Sequence, residues 1–75
     1  MRLTNQVKKY REQHQVTQED LAAAVGVSRQ TVIAIEKGNY EPSLGLALKL
    51  VKYFSAKGGS ASGGKLKTED LFMLQ

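Results

Sequence analysis

Apolar residues recur along the first two-thirds of the chain at helical spacing. Leu3, Val7, Tyr10 and His14 fall three or four residues apart and predict a first helix from Leu3 to Gln13, with Lys8, Lys9 and Glu12 on its solvated side. Gln15-Val16 is a short connector, with Val16 turned into the core. Thr17 is placed to cap a second helix from Gln18 to about Ala24. Asp20 stands three residues on, and Glu19 and Asp20 complement the positive end of the helix dipole. Leu21 and Val25 face inward, and Ala22 is small enough for two helices to cross closely. Gly26 ends this helix, as a residue free to adopt positive φ, and Val27 fills the corner.

Ser28 caps a third helix, running from Ser28 to about Lys37. Gly38-Asn39 ends it, and Pro42 cannot continue it. Ser43 caps a fourth helix reaching Phe54 or slightly beyond, with Leu44, Ala47, Leu50, Val51 and Phe54 as its core face. Leu46 and Leu48 widen that apolar surface toward a contact with another subunit. The pattern then breaks. Gly58 to Gly64 reads GGSASGG, a flexible-linker composition that fits a natural mobile loop or an engineered insertion equally. Thr68 then caps a last short helix, with Glu69 and Asp70 in its first turn and Leu71, Phe72 and Leu74 as apolar weight. The expected organisation is a domain over 1–56, a flexible Gly/Ser-rich linker or insertion over 57–67, and a segment over 68–75 that docks on the domain or on a partner subunit. The fold class is all-α: a compact bundle of four helices plus a short C-terminal helix or extended segment.

Seventy-five residues make one small core of marginal stability, which a partner subunit would support. The chain has no cysteine, which rules out disulfides and cysteine metal sites, and its single histidine cannot build a metal site alone. His14 is read as a helix-end residue, since no group for acid–base work lies near it in sequence. The apolar runs are far too short to span a membrane, and no signal peptide is visible. The expected compartment is therefore the cytoplasm. An enzyme is not expected: there is no cysteine nucleophile, no histidine–carboxylate motif and no P-loop, because GGSASGG-Lys65 lacks the required ending. Net charge is +4 and the pI about 9.6, a balance suited to a polyanion.

The third helix carries the chemistry that the charge only hints at. At ~100° per residue, Val32 and Ile35 point inward, while Arg29, Gln30, Ile33, Ala34 and Lys37 point outward. A DNA major groove has a use for each outward type. Arginine bonds guanine O6 and N7, glutamine bonds adenine N6 and N7, and threonine or isoleucine touches a thymine methyl. The helix N-terminus and Ser28 suit phosphate.

The set Thr17-Gln18-Glu19-Asp20-Leu21-Ala22, Gly26-Val27-Ser28, Thr31-Val32, Ile35-Glu36-Lys37-Gly38 and Pro42-Ser43-Leu44 resembles the Xre/Cro-type helix-turn-helix repressors. The resemblance covers about Asn5 to Phe54, and it implies a lambda-repressor-like fold. It further implies a sequence-specific double-stranded DNA-binding transcriptional regulator, a repressor acting as a homodimer on an operator, with no cofactor, membrane or small-molecule ligand. Arg29, Gln30, Thr31, Ile33 and Ala34 match positions that read bases. Gln18, Ser28, Lys37, Asn39 and Tyr40 match phosphate contacts, and Arg11 and Glu36 match a structural ion pair. The long stretch between Phe54 and Glu69 departs from short relatives. Two further readings share the same corner: an antitoxin-type regulator that also binds a toxin, and an engineered assembly variant of a repressor.

Overall fold

A computed structural model describes residues 3–58 and 66–74 of the chain. Among the described residues, five helices and two short strands occur in the order β1 (Leu3–Asn5), α1 (Val7–Gln13), α2 (Gln18–Val25), α3 (Arg29–Glu36), α4 (Leu44–Ala56), α5 (Thr68–Leu71) and β2 (Phe72–Leu74). The three long-helix starts follow local chemistry. The hydroxyl oxygens of Thr17, Ser28 and Ser43 accept from the backbone N–H groups of Asp20, Thr31 and Leu46 at 3.0, 3.1 and 3.1 Å. Each bond satisfies one of the N–H groups that a helix start leaves unpaired.

Two of these helix ends are built alike. After α3, Gly38 has φ +80°, its N–H bonds Ile35 O, and the Asn39 N–H bonds Ala34 O. After α1, Gln15 takes φ +56°, its N–H bonds Glu12 O, and the Val16 N–H bonds Arg11 O. Both are the paired closure that a left-handed residue makes possible. Gly26 closes α2 at φ +75° and turns the chain into α3.

The core lies where α1, α2, α3 and α4 converge. Leu21, Val32, Ile35, Leu50 and Phe54 are sealed from solvent, and Ala22 lies buried beside them. Tyr10 and Tyr53 place their rings 5.9 and 5.3 Å from that of Phe54. His14 stacks on the same ring at 6.2 Å.

Four expectations need correction. Leu3–Asn5 is a strand, not the first turn of helix one. It pairs antiparallel with Phe72–Leu74 in the register Leu3↔Leu74, Thr4↔Met73, Asn5↔Phe72. The fold is therefore mostly helical with a small two-stranded sheet, not all-α, and the chain's end is both a short helix and an extended strand. The N-cap of α5 is Lys67, whose backbone N–H is accepted by Asp70 Oδ2 at 2.9 Å; Thr68 is the first helical residue. On α4, Leu46 is buried while Leu44 is 73% exposed. Ala47, Leu50 and Phe54 centre the buried stripe, and at ~100° per residue Leu46 lies nearer to that centre than Leu44 does.

The segment 66–74 packs against the helices. Leu66, Leu71 and Phe72 are core residues, and the Gln6 N–H bonds Leu71 O at 2.8 Å. Asn5 ties this end to the rest: its Oδ1 accepts from the Val7 N–H, and its Nδ2 donates to Ile35 O at 2.9 Å. Residues 59–64 of the glycine-rich block lie outside the described residues.

Candidate nucleic-acid interface

The α2–α3 corner fixes what the third helix presents. Ala22, Val25, Val32 and Ile35 are buried, and Val27 packs against them, so the orientation of α3 is set by its apolar side. The opposite side carries the candidate residues. Gln30, Ile33, Ala34, Lys37 and Asn39 line one open concavity along it. Ile33 and Ala34 are half-buried rather than fully exposed, because their neighbours flank them.

Not every candidate joins this group. Arg29 is exposed but lines a different concavity, between α1, the start of α2 and the head of α3, with Lys8, Arg11, Thr17, Gln18 and Glu19. Thr31 is half-buried on the other flank, and its hydroxyl lies 3.0 Å from that of Ser28. Ser28 is thus engaged in holding the first turn of α3. Tyr40 is exposed in the segment after α3.

Behind this surface sits a charged knot. Arg11 Nε donates to Glu36 Oε2 at 2.6 Å and Arg11 Nη2 to Glu36 Oε1 at 3.2 Å. A further bond runs from Arg11 Nη1 to Val16 O at 3.1 Å. Gln18 Nε2 donates to Glu36 Oε1 at 3.1 Å. The hydrogen bond to Glu36 holds the Arg11 guanidinium above the usual arginine range; burial works against it, while the charges of Glu36 and Glu12 add to it. The side chains of Arg11 and Glu36 are only 12% and 4% exposed, so the pair is largely withdrawn from solvent.

A helix-turn-helix family model matches residues 7–56, two-thirds of the chain. The chain belongs to the Xre/Cro-like helix-turn-helix family. Three relatives illustrate the spread of the family. An uncharacterized HTH-type transcriptional regulator of Methanocaldococcus jannaschii is 60% identical over 55 residues, covering 73% of this chain and 83% of its own. One from Bacillus subtilis is 48% identical over 73 residues, covering 97% of this chain and 96% of its own. Another, from Archaeoglobus fulgidus, is 46% identical over 55 residues, covering 73% and 78%. The matched region of this helix-turn-helix protein begins with α1 and ends with α4, leaving the two strands and α5 outside it.

Sequence reasoning left three residues of the interface region aside. Lys8 and Glu19 line the Arg29 concavity, although Lys8 reads as solvated charge on α1 and Glu19 as a complement to the dipole of α2. Asn5, which anchors the N-terminal strand to the end of α3, carried no local signal. The separation of Arg29 from Gln30 did have one: Arg29 and Glu36 are seven residues apart, nearly two full turns, and so share a side of the helix. No helix among the described residues is long and apolar enough to cross a membrane. No cluster of metal-ligating side chains occurs among them either.

Proposed function

We propose that this helix-turn-helix protein is a sequence-specific double-stranded DNA-binding regulator that represses transcription. One observation carries the reading. The side of α3 that is not committed to the core groups Gln30, Ile33, Ala34, Lys37 and Asn39 along one surface. That surface mixes an amide able to pair with a base edge, apolar groups suited to a thymine methyl, and a cation suited to the backbone. In this reading α3 lies in the major groove with Gln30, Ile33 and Ala34 toward the bases, and with Arg29 and Thr31 on its two flanks at the head of the helix. Gln18, Ser28, Lys37, Asn39 and Tyr40 approach phosphates and fix the register. The names of the relatives, all HTH-type transcriptional regulators, support the same class.

Repression follows from coverage. Two copies related by a two-fold axis would occupy half-sites about one helical turn, ~34 Å, apart and exclude polymerase. The working compartment is the cytoplasm, where the operator is accessible. The Bacillus subtilis relative aligns along 97% of this chain and 96% of its own. That end-to-end match supports a tail of natural length rather than an inserted block.

Selection of bound duplexes from a random pool tests this function. Enrichment of a short site with two-fold symmetry is the expected result. A pool that stays random after repeated rounds, with the protein folded, would rule the reading out.

A further inference from the structure

Asn5 stands where the N-terminal strand meets the end of α3, and both ends of its amide are used. Oδ1 accepts from the Val7 N–H at 3.1 Å and turns the chain from β1 into α1. Nδ2 donates to Ile35 O at 2.9 Å, far away in sequence. Ile35 lies in the last turn of α3, where carbonyls have no partner within the helix. Its oxygen also takes the Gly38 N–H at 3.0 Å, so both lone pairs are engaged. The residues that follow include Lys37 and Asn39, which line the outward concavity with Ile33 and Ala34.

The head of α3 is fixed by Ser28 and its inner side by the burial of Val32 and Ile35. Its far end relies on side chains from elsewhere. Arg11 and Gln18 hold Glu36, and Asn5 holds the backbone. Leu3, Thr4 and Asn5 share a concavity with Glu36, Lys37 and Gly38, so β1 runs beside this end of the helix. The strand is itself braced. Thr4 Oγ1 donates to Met73 O at 3.3 Å, the Gln6 N–H bonds Leu71 O at 2.8 Å, and the buried Phe72 stands opposite Asn5. Contacts therefore run from the C-terminal segment through β1 and Asn5 to the backbone beside Lys37. Asn5 and both strands lie outside the region 7–56 that the family model matches.

We propose that Asn5, braced by the β1–β2 ribbon, is a positioning residue for DNA binding: it holds the end of α3, and with it Lys37 and Asn39, in the orientation that meets the duplex. The inference rests on duplex DNA being the ligand, and Asn5 acts through α3 rather than by touching the nucleic acid. Without the bond to Ile35 O, the end of α3 shares its time among other positions. Apparent affinity then falls with the fraction of molecules that stay competent. The two bonds of the amide can be separated. Serine at this position still accepts from the Val7 N–H, as it does in local turns, but is too short to reach Ile35 O. Alanine loses both bonds.

The test uses the full chain, the duplex it selects from a random pool and an unrelated duplex. It is run at a temperature where thermal unfolding shows wild type, Asn5→Ser and Asn5→Ala to be folded. Both variants should weaken binding to the selected duplex by the same factor, roughly 3- to 10-fold, the scale of one lost hydrogen bond. Binding to the unrelated duplex needs charge but no fixed register, and should scarcely change. Amide exchange gives a second readout. The Gly38 and Asn39 N–H groups, which close α3, should exchange faster in both variants, whereas the Val27 N–H, which closes α2 on Ala22 O, should change only as overall stability does. A binding loss that follows stability, larger in Asn5→Ala than in Asn5→Ser, marks a merely structural residue and overturns the proposal. Wild-type affinity in folded Asn5→Ser overturns it too, as does exchange at Gly38 and Asn39 that rises no more than at Val27. If Asn5→Ala fails to fold, Asn5→Ser decides alone. Failure of the wild type to bind any duplex is a different result: it removes the DNA reading and the positioning role with it.

Discussion

Arg11 Nε donates to Glu36 Oε2 at 2.6 Å, joining the last turn of α1 to the last residue of α3. The same carboxylate takes a bond from Gln18 at the start of α2. One buried acid therefore holds three helices in register. Truncating either member leaves the other charge buried and unpaired, which costs roughly 3–5 kcal/mol. Arg11→Ala and Glu36→Ala should each lower unfolding free energy by that amount in urea titrations. A double change to apolar residues of similar size, Arg11→Met with Glu36→Leu, should recover most of the loss. Single variants within about 0.5 kcal/mol of wild type would mean that the pair is solvated in solution.

Leu71, fully buried in the four-residue helix α5, makes the C-terminal segment part of the core. Leu71→Ala should destabilise the protein by about 2–5 kcal/mol, the range for emptying a packed leucine site. Met73, on the same segment but half-exposed and outside the core, should tolerate alanine within about 0.5 kcal/mol in the same denaturation experiment. Equal, small effects at both positions would show that 66–74 is not docked as described.

Gln15 and Gly38 occupy equivalent places after α1 and α3, both with positive φ, but only one is glycine. A side chain in the left-handed region costs about 1–2 kcal/mol. Gln15→Gly should therefore stabilise the protein, by about 0.5–1 kcal/mol once the extra freedom of the unfolded chain is set against the gain. At Gly26 the sign reverses. An added Cβ would meet nothing within 4 Å, so the cost of Gly26→Ala comes from φ +75° alone. A loss of about 1 kcal/mol is expected in thermal or chemical unfolding. A destabilised Gln15→Gly variant would contradict the described closure of α1.

These contrasts show which parts of the molecule the residues announce by themselves. Thr17, Ser28 and Ser43 cap through bonds spanning three residues, so their chemistry is complete within a short window. The strand Leu3–Asn5 has its partner at Phe72–Leu74, and nothing near Leu3 distinguishes a strand from a helix turn. On α4 the apolar residues exceed one stripe, so the sequence alone leaves the helix phase ambiguous, and packing buries Leu46 in preference to Leu44. The candidate interface was legible in its composition. Its division was legible only in part: the seven-residue spacing puts Arg29 on the side of Glu36, but that α1 and the start of α2 stand beside that side is a tertiary fact.

Gln30 gives the most direct test of base reading. It is exposed at the head of α3, lines the outward concavity with Ile33 and Ala34, and makes no hydrogen bond to another described residue's side chain that would hold it back. Gln30→Ala should leave thermal stability unchanged, since surface substitutions of this kind fall within about 0.5 kcal/mol. It should weaken binding to the selected duplex by about 1–3 kcal/mol and relax the preference at one base pair in each half-site. Binding to unrelated duplex should scarcely change, because the backbone contacts remain. Competition between the selected duplex and a variant at that base pair reads the effect directly. A loss of equal size on every sequence would place Gln30 on the backbone and require another residue to supply the specificity.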